Sequence, residues 1–137
     1  NTVVFSKNKM ECVSNKKATD KQIRDLIFAF KVSKYIKSNA IVLVQNKQTI
    51  GIGSGQTSRI DSTKIALSKI SSKFKKIGFV AASDAFFPFT DSIKLLVKRN
   101  CKVIIQPKGS INDNKIINYA NSKNISLYFS NYRFFRH

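Results

Sequence analysis

Between residues 38 and 61 the chain reads SNAIVLVQNKQTIGIGSGQTSRID, and glycine recurs at every second position, as Gly51, Gly53 and Gly55. Residues 40–44 are apolar and mostly β-branched, which suits a buried strand. The polar break at 45–48 suits a hairpin turn, and 49–53 returns as a second strand. Side chains at alternate strand positions share a face, so the three glycines strip one face bare. A bare face admits either a ligand or another backbone. Gln56, Ser58 and Arg59 follow at the expected start of a helix. The stretch lacks both the G-x-G-x-x-G spacing and a Walker lysine, so as a phosphate loop it is weak. On pattern alone, a helix packed closely on the glycine face is the stronger reading.

The rest of the chain alternates. A short strand is expected at 3–5 and a polar connector at 6–18. Asp20 suits an N-cap, and Ile23, Leu26, Ile27 and Phe30 follow at helical spacing to about residue 37. After the hairpin, Ser58 or Asp61 can cap a helix carrying Ile65, Ala66 and Ile70. A strand at 77–82 follows. Thr90 can cap a helix with Ile93, Leu96 and Val97, before a strand at 102–106 that stops at Pro107. Asn112 can start a helix with Ile116, Ile117 and Ala120, and the last strand is 125–129. Helices between strands imply parallel strands covered on both faces, and the hairpin adds one antiparallel pair. The expectation is an α/β fold, a three-layer α/β/α sandwich on a mixed sheet. In such sheets ligands gather at the carboxyl ends of the parallel strands, here the loops 83–90 and 107–112 and the tail after Phe129.

With 137 residues the chain is one domain's worth, and 42% hydrophobic residues with 11 Phe argue for a packed core. No apolar stretch approaches the roughly 20 residues that span a bilayer, so no membrane partner is expected. Cys12 and Cys101 are far apart and in no metal spacing, which reads as two reduced thiols in a cytoplasmic protein. The formal charge of +18 suggests a polyanion partner. Yet the lysines are spread over every segment, with no basic run of five or six. A basic nucleic-acid-binding module is therefore the runner-up reading, to be separated by the steep salt dependence that phosphate contacts impose.

Two loops carry chemistry. Residues 83–91 read SDAFFPFTD: three Phe around a Pro, bracketed by Asp84 and Asp91. Aromatic faces can stack on a flat heterocycle, and a carboxylate can accept from its ring N–H or amino groups. Equally, the Phe residues can be core and Asp91 a helix cap; the residues alone leave both open. PKGS at 107–110 precedes a helix and suits an anion or carbonyl, or a simple turn. The tail at 132–137, YRFFRH, carries Arg133 and the only histidine, His137. Zinc deaminase chemistry needs H-x-E and P-C-x-x-C, and neither motif occurs. No Ser-His-Asp or Cys-His arrangement is evident either.

Taken together, KSNAIVLV, TIGIGSGQTSRID, SDAFFPFTD, IIQPKGS and NYRFFRH resemble, in order and spacing, the C-terminal part of one family. It is the bifunctional purine biosynthesis family that joins AICAR transformylase (5-aminoimidazole-4-carboxamide ribonucleotide formyltransferase) to IMP cyclohydrolase. The resemblance covers residues 3–137, and residues 61–83 resemble the bacterial form.

The resemblance implies a cytidine-deaminase-like fold without the zinc motif, with residues 1–137 as the C-terminal portion of the transformylase domain. It implies formyl transfer from 10-formyltetrahydrofolate to AICAR, giving formyl-AICAR and tetrahydrofolate, in a cytoplasmic enzyme that is a homodimer at full length. By motif, Asn39, Arg59, Phe86 and Arg133 would bind AICAR, with Asn39 near the reacting amide and Arg133 on the phosphate. Ile60, Asp91, Ser110 and Ile111 would line the folate site, with Asp91 on the pterin. His137 would lie near the centre. Ser38 and Asp84 correspond to positions near a potassium site of some members. Arg136 stands where a neutral ligand is needed, so no metal is expected. The family's catalytic Lys-His pair belongs to an upstream segment outside these residues, and so does the cyclohydrolase domain. Alone, the 137 residues are therefore expected to be inactive.

Overall fold

Strand β2 (Ile41–Gln45) is buried along its whole length and divides the core in two. Ile41 and Leu43 point into one apolar cluster, and Val42 and Val44 into another. That period of two is the pleat of a strand covered on both faces. The structure, a computed structural model, describes residues 10–71, 73 and 77–131. The strand expected at 3–5 lies outside these, as do Arg133, Arg136 and His137.

In chain order the elements are β1 (Met10–Cys12), α1 (Asp20–Ser33), β2, β3 (Gln48–Gly53), α2 (Arg59–Ser68), β4 (Phe79–Ser83), α3 (Asp91–Lys98), β5 (Cys101–Pro107), α4 (Asp113–Ser122) and β6 (Ser126–Ser130). The strands form one mixed sheet in the order β1-β6-β5-β4-β2-β3. Helix α1 covers one face, against β2, β4 and β5. Its Ile23, Leu26, Ala29 and Phe30 are buried there with Val80, Val103 and Ile105. Helices α2, α3 and α4 cover the other face, where Leu67, Ile93, Leu96 and Ile116 meet Phe79, Ala81, Ile104 and Leu127. Burying each Leu, Ile or Phe contributes about 1.5–3 kcal/mol. The three-layer α/β/α expectation holds.

Four local readings are corrected. The connector expected at 6–18 contains β1, which pairs antiparallel with β6, Glu11 opposite Phe129. The hairpin adds more than one antiparallel pair, because β2 lies between β3 and β4 and runs antiparallel to both. Strands β4, β5 and β6 are parallel. Thr19, not Asp20, caps α1: the Gln22 N–H donates to Thr19 Oγ1 at 3.1 Å, and Gln22 Oε1 accepts from Thr19 N–H at 2.9 Å. That reciprocal pair satisfies two orphan donors, and leaves Asp20 in the first turn, where a negative charge suits the helix dipole. The helix also stops at Ser33, short of 37, where Tyr35 and Ile36 bond three residues back and tighten the last turn.

The hairpin turn is held from outside itself. Asn46 and Lys47 have φ of 58° and 60°, the left-handed pair of a tight two-residue turn. Neither is Gly, so the turn carries strain. The buried carboxylate of Asp25 on α1 accepts from both their N–H groups, at 3.0 and 2.8 Å.

The glycine face of β3 is occupied by α2. A Cβ on Gly51 would stand 2.2 Å from the carbonyl oxygen of Ala66, and one on Gly53 1.8 Å from that of Ser62. The bare face thus admits a helix backbone, not a ligand. This contact sets the start of α2, and with it Arg59, over the end of the sheet.

Candidate functional site

The carboxyl end of β4 carries a buried polar network. Asp84, one residue past β4, is 1% exposed. Its carboxylate accepts from the Ser38 hydroxyl at 2.5 Å and the Ala40 N–H at 3.1 Å, and pairs with the Arg59 guanidinium. Its own N–H donates to the Ala40 carbonyl at 3.2 Å. A buried carboxylate is stable only when its lone pairs are used, and three donors from two segments use them here. Arg59 is itself mostly buried, and its Nε–H has no partner among the described residues.

Around this pair the loops interlock. The Ser38–Asn39 peptide is cis. Asn39 donates from Nδ2 to the Gln56 carbonyl at 2.8 Å, and its own carbonyl accepts from the Ser62 hydroxyl at 2.6 Å. Ser58 caps α2 by accepting from the Asp61 N–H at 3.2 Å. Of the two caps expected for this helix, Ser58 is the one used.

Beside the network opens a cleft of about 570 Å³ lined by Asn39, Thr57, Ser58, Arg59, Ala85, Phe86 and Pro88. A ligand there would meet an amide, hydroxyls and a guanidinium on one wall and a half-buried aromatic ring on the other. That combination suits a flat polar heterocycle. The three Phe of the loop separate by role: Phe87 is fully buried core, Phe86 lines the cleft, and Phe89 is 64% exposed. The core reading of this loop therefore holds for Phe87, while Phe86 is left facing the cleft.

The candidate folate residues sit on neighbouring segments. Ile60 is half-buried beside Arg59. Asp91 is exposed at the start of α3, and its Oδ1 accepts from the adjacent Ser92 N–H at 2.8 Å. Thr90 stands at the N-cap position of α3 but makes no side-chain cap bond, whereas Asn112 directly precedes α4, where a helix start was expected. Ser110 accepts from the Asn112 N–H at 3.0 Å, and Ile111 is 98% exposed. Asp91, Ser110 and Ile111 do not line the cleft. Asp91 opens α3 just after the aromatic loop, and Ser110 and Ile111 lie on the connection whose Asn112 bonds the Pro88 carbonyl. Sequence reasoning missed Thr57 and Pro88 in the cleft wall, and two amides behind it, Gln106 and Asn112. For Gln106 a signal existed: one polar residue in the otherwise apolar VIIQP run.

A three-layer sandwich with its polar network at the carboxyl end of β4 falls in the cytidine-deaminase-like class, and solved structures agree. Acinetobacter baumannii RibD, in forms 1 and 2, superposes in each with a TM-score of 0.50 at 17% identity, covering 77% of this chain and 33% of that one. At that identity the likeness shows the fold alone. Sequence goes further. The family model described as AICARFT/IMPCHase bienzyme matches residues 1–69. The bifunctional purine biosynthesis protein PurH of Buchnera aphidicola subsp. Baizongia pistaciae is 49% identical over 135 residues, 98% of this chain and 26% of that protein. PurH of Persephonella marina is 47% identical over 95% of this chain and 25% of its own length, and that of Aquifex aeolicus 44% over 99% and 27%. The chain belongs to the AICARFT/IMPCHase bienzyme family, and it spans about a quarter of the length of these relatives.

Proposed function

We propose that these 137 residues are the C-terminal portion of the AICAR transformylase domain of a purine biosynthesis bienzyme, and that the cleft beside the Arg59–Asp84 pair is its AICAR subsite. The observation that carries this is the meeting of Asn39, Arg59 and Phe86 in one cleft. They are three of the four residues that the family resemblance assigns to AICAR. The fourth, Arg133, would hold the phosphate, since a guanidinium offers a bidentate, permanently charged partner. Phe86 would lie against the imidazole ring, and Asn39 would bond the carboxamide and amine region. Ile60, Asp91, Ser110 and Ile111 would form the folate side, with the Asp91 carboxylate accepting from the pterin. The formyl group would pass from 10-formyltetrahydrofolate to the AICAR amine, leaving formyl-AICAR and tetrahydrofolate. The full-length enzyme would be a cytoplasmic homodimer.

Calorimetric titration of AICAR into the 137-residue chain tests the subsite. Phe86→Ala should weaken binding about tenfold through lost stacking, while leaving 10-formyltetrahydrofolate binding within twofold or so of the parent. Saturable AICAR binding that ignores Phe86 would place the ligand elsewhere.

A further inference from the structure

The loop that presents Phe86 is held at two points, one from the end of β5 and one from the β5–α4 connection. The Phe87 N–H donates to Gln106 Oε1 at 3.0 Å, and the Pro88 carbonyl accepts from Asn112 Nδ2 at 2.5 Å. Gln106 ends an apolar strand and is fully buried, as is Phe87. Its Nε2 has no partner among the described residues. A buried amide whose NH2 goes unpaired is costly unless its acceptor is needed. Pro88 lies between the two anchors, its φ fixed by its ring. With the N–H before it and the carbonyl after it both held, the backbone at 87–88 has little freedom. The preceding residue, Phe86, then has a set direction into the cleft.

We infer that Gln106 and Asn112 are positioning residues of the cleft, setting the Phe86 ring from the end of β5 and from the connection that carries Ser110 and Ile111. This rests on reading the cleft as the AICAR subsite. Its consequence is mechanical: a ligand seated against Ser110 and Ile111 acts on Phe86 through Asn112 and Pro88, although the two groups of residues belong to different loops.

Two readouts on the 137-residue chain separate this inference from the reading beneath it. The first needs no ligand. With 4-fluorophenylalanine in place of Phe86, the parent should give one narrow fluorine resonance. Asn112→Ala and Gln106→Met should each broaden or split it, while the far-ultraviolet spectrum stays native. The second is AICAR affinity. Asn112→Ala and Gln106→Met should each weaken it about tenfold. Gln106→Glu, which keeps an acceptor for the Phe87 N–H, should restore most of it at low pH, where the buried carboxyl is neutral. Asn112 is only half-buried, so its variant tests the idea even where a Gln106 variant fails to fold. An unchanged resonance in folded Asn112→Ala would overturn the inference whatever AICAR does. A broadened resonance in a chain that binds no AICAR would leave the positioning intact and overturn the subsite.

Discussion

The Asp84 carboxylate closes on the Arg59 guanidinium, joining the end of β4 to the first residue of α2. Nothing else in the described residues ties the loop after β4 to the helix on the glycine face by charge. Both partners are largely buried, so removing one strands the other. Arg59→Met should destabilise the chain by about 3 kcal/mol, and so should Asp84→Asn. The double variant should cost less than the sum, because it strands neither charge. Urea unfolding of all four proteins checks this, and additivity within about 0.5 kcal/mol would mean the pair is not coupled.

The glycine face makes a sharper prediction because its neighbours are backbone. Gly53→Ala forces a methyl into the Ser62 carbonyl, and α2 must move to admit it. The expected cost is about 3 kcal/mol, at the upper end for overpacking. Gly55→Ala should cost only about 1 kcal/mol: its φ is +68°, unfavourable for a side chain, but the nearest atom is the flexible end of Lys37 at 3.7 Å. Thermal melts of the two variants should fall in that order. Equal melting would mean α2 does not sit on β3.

That contrast also shows what a sequence can reveal. The apolar, mostly β-branched run at 40–44 and the spacing of Gly51 and Gly53 are local patterns, and both strands formed within a residue or so of where they were expected. Strand β1 has no such pattern. It is three residues in a lysine-rich stretch, and it is a strand only because β6, more than a hundred residues away, offers an edge. The placement of β2 between β3 and β4 is likewise a long-range pairing that no window of sequence contains. At the site, Asn39, Arg59 and Phe86 were legible because family motifs carried them. Asp84 was legible as an acid beside an aromatic loop and, with Ser38, as a position near a potassium site of some family members; its bonds in the structure are internal, to Ser38, Ala40 and Arg59. Gln106 and Asn112 act on backbone groups of another loop, a role that leaves no periodicity behind.

Burial pushes the Cys101 thiol up from 9.0 to about 12, only partly offset by a backbone hydrogen bond at Val103 and by nearby Lys102. The sign follows from proton binding. Below pH 9 both folded and unfolded chains hold the proton, and the contribution is fully present. Between pH 9 and about 12 the unfolded thiol ionises while the folded one does not, so stability falls as pH rises. The loss approaches about 1.4 kcal/mol per pH unit in that window. Cys101→Val should remove this component, so the difference in unfolding free energy between parent and variant should narrow with pH above 9 and stay constant below it. At pH 8 a thiol reagent should label the half-buried Cys12 quickly and Cys101 only after denaturant is added.

The last prediction concerns activity. The amine of AICAR is a poor nucleophile, because its lone pair is delocalised into the imidazole and carboxamide. Removing its proton, and delivering one to the folate leaving nitrogen, require acid–base groups held in place. The cleft and its borders offer Asn39, Ser58, Arg59, Asp84 and Asp91. Of these, Asp84 is already committed to three donors, and Asp91 is an exposed carboxylate at a helix start. Groups of this kind bind the ground state about as well as the transition state, and that does not accelerate the chemical step. The family resemblance would put the catalytic Lys-His pair in an upstream segment, and the one histidine in these residues is His137. Residues 1–137 alone, given AICAR and 10-formyltetrahydrofolate, should therefore release tetrahydrofolate no faster than the uncatalysed reaction, and adding the upstream half of a family member in trans should restore turnover. Restored turnover should in turn be lost with Arg133→Ala at low AICAR and recovered at high AICAR, as expected for a phosphate contact worth about 2 kcal/mol. Turnover by residues 1–137 alone, abolished by His137→Ala, would move the chemistry into the tail.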